Sequence, residues 1–152
     1  MKLAEALILR ADYQKRIEQL KNRLLRNAKV QEGDTPAEDP QRLLQELDRV
    51  TGEQLALIQR INRTNAVSKL ENGQTLSDAL AVRDMLKTRH SIYRDLAETG
   101  TVTLSRFTKS EVRFQSTVPV ADLQKTADNL ALEHRELDTR IQAANWQAEI
   151  VE

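Results

Sequence analysis

Ten positions near the C-terminal end, Val120, Leu123, Ala127, Leu130, His134, Leu137, Ile141, Ala144, Ala148 and Val151, follow one another in steps of three and four without a break. Only His134 among them is not apolar. That spacing keeps a stripe on one side of an α-helix, which must then bury it against another helix. At the usual rise such a helix is roughly 45 Å long. A compact core needs less, so the length suits an extended bundle or an oligomer.

Composition agrees with long helices. Of the 152 residues 39% are hydrophobic, 3% aromatic and 30% charged, with four Gly and three Pro, which favours solvent-striped helices over a sheet-rich globule. Twenty-three basic residues balance twenty-three acidic ones, so the overall field draws the chain to neither nucleic acid nor an anionic membrane. Without cysteine there is no disulfide, thiolate metal site or thiol nucleophile. The opening Leu3–Leu9 stretch carries Glu5 and runs into Arg10-Ala11-Asp12 with no small-residue cleavage site, unlike a secretory signal. No apolar run approaches the ~20 residues that span a bilayer. We expect a cytoplasmic protein with no membrane partner.

Four helices are predicted in a single domain, residues 1–152. The first covers about 3–27, with Ala6, Tyr13, Ile17, Leu20 and Leu24 on one face. Gly33-Asp34-Thr35-Pro36 marks a loop. Asp39 as cap and Pro40 at the first helical position open the second, about 40–66. Its seam is Leu43, Leu47, Val50, Gln54, Leu57 and Ile61, with Gly52 mid-helix at a cost of about 1 kcal/mol relative to Ala. Asn72-Gly73 predicts a small hairpin over about 68–76 with a type I′ turn. The third helix, about 77–98, has the seam Ala79, Val82, Leu86, Arg89, Tyr93 and Leu96 and stops at Gly100. Residues 101–118 form an extended arm, in which Val112, Phe114, Ser116 and Val118 alternate with polar residues. Pro119 precedes the fourth helix, about 120–150. The fold class is mainly α, an antiparallel coiled-coil bundle.

Charge is unevenly placed. Residues 1–30 hold eight basic and three acidic side chains, residues 31–60 three and seven, and residues 121–152 three and seven. A basic first helix between acidic second and fourth helices selects register more than it adds stability.

Several stretches carry a resemblance: MKLAEALILRADYQKRIEQLKNRL at the start, INRTN at Ile61–Asn65, TLSDALAVRD at Thr75–Asp84, SEVRFQSTV at Ser110–Val118 and HRELDTRIQAANW at His134–Trp146. On these the chain resembles the septicolysin-like family of small bacterial proteins over nearly its whole length. The resemblance implies no catalytic residue. Its name implies a cytolysin, yet a thiol-activated cytolysin needs a cysteine in a tryptophan-rich loop. Here there is no cysteine and one Trp146, inside a helix. We expect no lysis.

Candidate sites are few. His134 stands beside Glu133 and near Glu136, but His90 is on another helix and no Glu-x-x-His occurs, so His134 is read as a polar seam position. No metal or cofactor is expected. Asn62, Arg63, Thr64 and Asn65 follow the second seam, and Arg83 and Asp84 open the third helix, with Arg89 a further fork-shaped donor. A folded-back hairpin would gather them into a polar cluster, serving an anion or small molecule in one reading and helix capping in the other. Arg10, Lys15, Arg16, Lys21, Arg23, Arg26 and Lys29 give the first helix a basic stripe, an RNA-binding alternative without aromatic platforms for bases. Phe107, Val112 and Phe114 suggest a docking arm, and with Leu130, Leu137 and Ile141 they are the candidates for self-association. The expected function is non-enzymatic, an oligomeric helical scaffold or interaction protein. RNA binding, or small-molecule binding with weak catalysis at the polar cluster, are the alternatives.

Overall fold

A computed structural model describes residues 1–103 and 112–152. Among the described residues the fold is four α-helices without strands: α1 (Leu3–Arg26), α2 (Pro40–Val67), α3 (Leu76–Gly100) and α4 (Val120–Gln147). Residues divide into two compact units, Met1–Leu76 with Gln142–Glu152, and Ser77–Ile141.

In the first unit α1 and α2 pack antiparallel. Leu20, Leu43 and Val50 form a buried cluster, with Tyr13, Ile17, Leu24 and Leu47 against it. These are the apolar positions whose 3-4 spacing put them on facing sides. Truncating a fully buried leucine in such a seam typically costs about 2–5 kcal/mol. Ion pairs run along its edges in antiparallel order, Arg16 with Glu46 and Arg23 with Glu38. Asn27 closes the connection, donating Nδ2–H to the Arg23 carbonyl at 2.8 Å while its Oδ1 accepts the Glu38 N–H at 3.1 Å. Asp39 caps α2 by accepting the Gln41 N–H at 3.0 Å, with Pro40 at the first turn.

The Asn-Gly segment is a hairpin, with a bridge between Lys69 and Thr75. Its turn differs from the type I′ expectation, because only Gly73 (φ 83°) is left-handed and Asn72 is not. The Gly73 N–H donates to the Leu70 carbonyl at 2.9 Å and the Leu70 N–H to the Gln74 carbonyl at 2.8 Å. This is the three-residue loop with a glycine bulge, which spares Asn72 the strained conformation.

α4 ends at Gln147, short of the predicted 150, since the following residues pair with the chain's beginning. Lys2 and Glu149 form an antiparallel bridge, the Leu3 N–H reaches the Ala148 carbonyl at 2.9 Å, and the Ile150 N–H reaches the Met1 carbonyl at 3.0 Å.

In the second unit α3 packs antiparallel on α4, Arg83 Nη1 donating to Asp138 Oδ1 at 2.7 Å. The fourth-helix seam is buried here as its spacing requires, at Ala127, Leu130 and Leu137 with Ile141. The α3 seam needs correction. Ala79, Leu86 and Ala97 are buried, and Arg83, His90 and Tyr93 are half-buried between them. Val82, Arg89 and Leu96, placed in that seam from the sequence, are exposed. The chain at 112–119 is neither helix nor strand, as an arm would be. It closes on the end of α3, where a Cβ on Gly100 would meet Val118 Cγ2 at 2.6 Å.

Candidate functional site

The INRTN run turns its residues to different sides of the last turns of α2. Asn62 and Arg63 are exposed, Asn65 is half-buried and Thr64 is wholly buried. Thr64 Oγ1 donates to the Arg60 carbonyl at 2.8 Å and accepts the Val151 N–H at 3.0 Å. Arg60 Nε donates to the Val151 carbonyl at 3.0 Å. A hydroxyl can do both jobs because it carries one donor and two lone pairs. The segment therefore grips the backbone of residue 151, a role the sequence reading did not give to Thr64 or Arg60.

Asn62, Arg63 and Asn65 belong to the first unit, and Arg83, Asp84 and Arg89 to the second. Within the second unit, Arg83 lies 3.9 Å from Asp84 and is turned to Asp138, so its fork already serves as a brace between α3 and α4. Asp84 and Arg89 are exposed. Among the described residues no group of three or more His, Asp or Glu is placed to hold a metal ion.

Two cations of the basic stripe of α1, Arg16 and Arg23, are committed to carboxylates across the connection to α2, and Lys2 ahead of the helix is committed to Glu149. Glu38 pairs with Arg23, Glu46 with Arg16 and Glu149 with Lys2, and each carboxyl is held below the ordinary glutamate value by that hydrogen bond. Glu53 is lowered first by Arg49 and then by the Tyr13 hydroxyl, which donates to it at 3.2 Å. Burial, then that same hydrogen bond, raises the Tyr13 phenol.

Three of the residues assigned to self-association are already covered within the chain: Leu130, Leu137 and Ile141 are 3%, 4% and 1% exposed. A second copy has no access to them, which corrects that assignment. Phe107 lies outside the described residues. Val112 and Phe114 are exposed, the phenylalanine at 83%.

On α3 the second unit also carries a periodic row of exposed apolar side chains. Val82, Met85, Ile92 and Leu96 stand exposed around Arg89, in steps of three, four, three and four. Sequence reasoning assigned Met85 and Ile92 to no seam. The signal was there, since α3 carries two adjacent 3-4 stripes and only one of them can face α4.

Residues 10–150 match the family of unknown function DUF6847. The chain belongs to that family. The DUF6847 match takes in most of α1 and all of α2, α3 and α4, the exposed α3 stripe included. A crystal structure of a functionally unknown conserved protein from Corynebacterium diphtheriae is similar over 99% of each chain, at 45% identity and a TM-score of 0.93. No curated protein matches the chain.

Proposed function

We propose that this DUF6847 protein is a non-enzymatic interaction protein, a helical scaffold that self-associates and works in the cytoplasm. One observation carries the reading. After each helix pair has closed its own seam, large apolar side chains remain more than half exposed: Ile8 and Leu25 on α1, Leu55 on α2, and Met85 and Ile92 on α3. Scattered exposed apolar residues are ordinary, but a periodic row of them on one helix marks a contact surface. A second copy presenting the same row would cover it.

The test is to mix isotopically light and heavy copies of the full chain, crosslink them, and identify the linked peptides by mass. Light–heavy crosslinks between copies support self-association. Crosslinks confined to single copies contradict it.

A further inference from the structure

We propose that α3 is a self-pairing helix: Met85, Arg89, Ile92 and Leu96 pack against the same residues of a second copy, in antiparallel orientation, with Val82 at the end of the seam. This rests on the self-association proposed above and names the surface that produces it.

The spacing comes first. Steps of three, four, three and four over residues 82–96 are the seam of a coiled coil, about 21 Å long. The adjoining stripe, Ala79, Arg83, Leu86, His90, Tyr93 and Ala97, is already turned inward in the packed unit. α3 thus has one seam closed and a second open beside it. The exposed positions of α4 between 121 and 140 are polar or alanine apart from Leu132, so the open seam has no rival on the other helix of the pair.

Charge selects both the occupant and the orientation. In a parallel, in-register pair the two Arg89 side chains would face each other, which opposes pairing. In an antiparallel pair with Met85 opposite Leu96, Arg89 falls opposite Ile92 of the second copy, and the reciprocal contacts follow by two-fold symmetry. Every member of the stripe from Met85 to Leu96 then has a stripe partner. Asp95 is exposed on the solvent flank, where it accepts from Arg94 of its own helix at 3.2 Å. Three residues beyond Ile92, it lies one turn from Arg89 of the other copy, a second cation that this solvent-exposed carboxylate can take up. The helix supplies the complement to its own only seam cation.

The flank permits close approach. Ala81 and Thr88 border the stripe, both small and uncharged, and Thr88 spends its hydroxyl on the Asp84 carbonyl at 3.1 Å. In extent, a single stripe of four large apolar side chains falls short of the roughly 1,600 Å² of a standard stable interface. The pairing therefore belongs to the weak, concentration-dependent class, with a dissociation constant on the order of micromolar or weaker.

Sedimentation velocity of the full chain over a wide concentration series tests this. Met85 and Ile92 are 59% and 58% exposed, so Met85→Glu and Ile92→Glu should leave the fold intact, as helical circular dichroism will report. Each is expected to weaken dimerisation at least about tenfold. Arg89→Asp should weaken it as well, and adding Asp95→Arg should restore most of the loss, which a merely structural role for either residue would not produce. Orientation has its own readout, because the chain holds no cysteine. Mixing a Met85→Cys copy with a Leu96→Cys copy should give the mixed disulfide in preference to either homodimer. Dimerisation unchanged in both glutamate variants would overturn the α3 surface while leaving self-association standing. A wild-type chain that stays monomeric throughout would overturn both.

Discussion

Thr64, buried near the end of α2, holds the backbone of Val151 through a 3.0 Å hydrogen bond to its hydroxyl oxygen. Eighty-seven residues separate them in sequence. Thr64→Val keeps the shape and removes the acceptor, leaving the Val151 N–H without its partner. The expected cost is about 1–2 kcal/mol. Urea denaturation will measure it, and amide exchange should quicken at Val151 before the α1–α2 seam responds. Unchanged exchange at Val151 would show that the bond holds nothing.

Two glycines should answer the same substitution differently. Gly52 lies in open space inside α2, so Gly52→Ala gains helix propensity and stabilises by about 1 kcal/mol. Gly100 is the last residue of α3, where less helix propensity is to be gained, and a Cβ there would sit 2.6 Å from the stiff Val118 side chain. Overpacking of this kind costs about 1–3 kcal/mol, enough to cancel or exceed the gain. Gly100→Ala should therefore fail to stabilise, and adding Val118→Ala should recover the propensity gain. A thermal melt series decides, and equal stabilisation at the two glycines would contradict the close approach of the arm.

The ion pairs of the first unit set a pH dependence. Glu38, Glu46, Glu53 and Glu149 all lie below the ordinary value of 4.5 in the folded chain. The unfolded chain therefore takes up protons first as pH falls. Stability from these pairs is complete above that value and is lost as pH drops through the lower folded-state values. Urea midpoints near neutrality and at about pH 3 should fall in that direction, and Glu38→Gln should flatten the profile in part. A midpoint that rises in acid would contradict the pairing.

Binding to RNA should be weak and only mildly sensitive to salt. Of eight basic residues in positions 1–30, Lys2, Lys15, Arg16, Lys21 and Arg23 lie within 4.0 Å of a carboxylate, which leaves Arg10, Arg26 and Lys29. Three cations without a carboxylate partner among the described residues correspond to a log–log salt slope of about −2 on single strands. A slope of about −5 or steeper would mean the pairs open to receive phosphate.

What was legible in the sequence was whatever rests on local pattern. Asp39-Pro40 as a helix start, the Leu20/Leu43/Val50 seam and the α4 seam through Ile141 all follow from spacing and capping chemistry. α3 was misread because its apolar residues fill two neighbouring stripes, and periodicity alone does not say which meets a partner. Arg83 and His90 look wrong for a seam, yet Arg83 fits once Asp138, 55 residues away, is there to receive it. The grip of Thr64 and Arg60 on Val151 and the pairing around Lys2 and Glu149 join distant residues through a few local contacts, which leave no periodic trace. Asn72-Gly73 announced a hairpin correctly, but the dipeptide is compatible with more than one loop, and here only the glycine takes positive φ.

Solution mass by light scattering on a sizing column, at low and high salt, tests the central claim most directly. The account predicts a discrete, concentration-dependent oligomer that persists in high salt, because apolar side chains close it. A clean monomer at every concentration would contradict it.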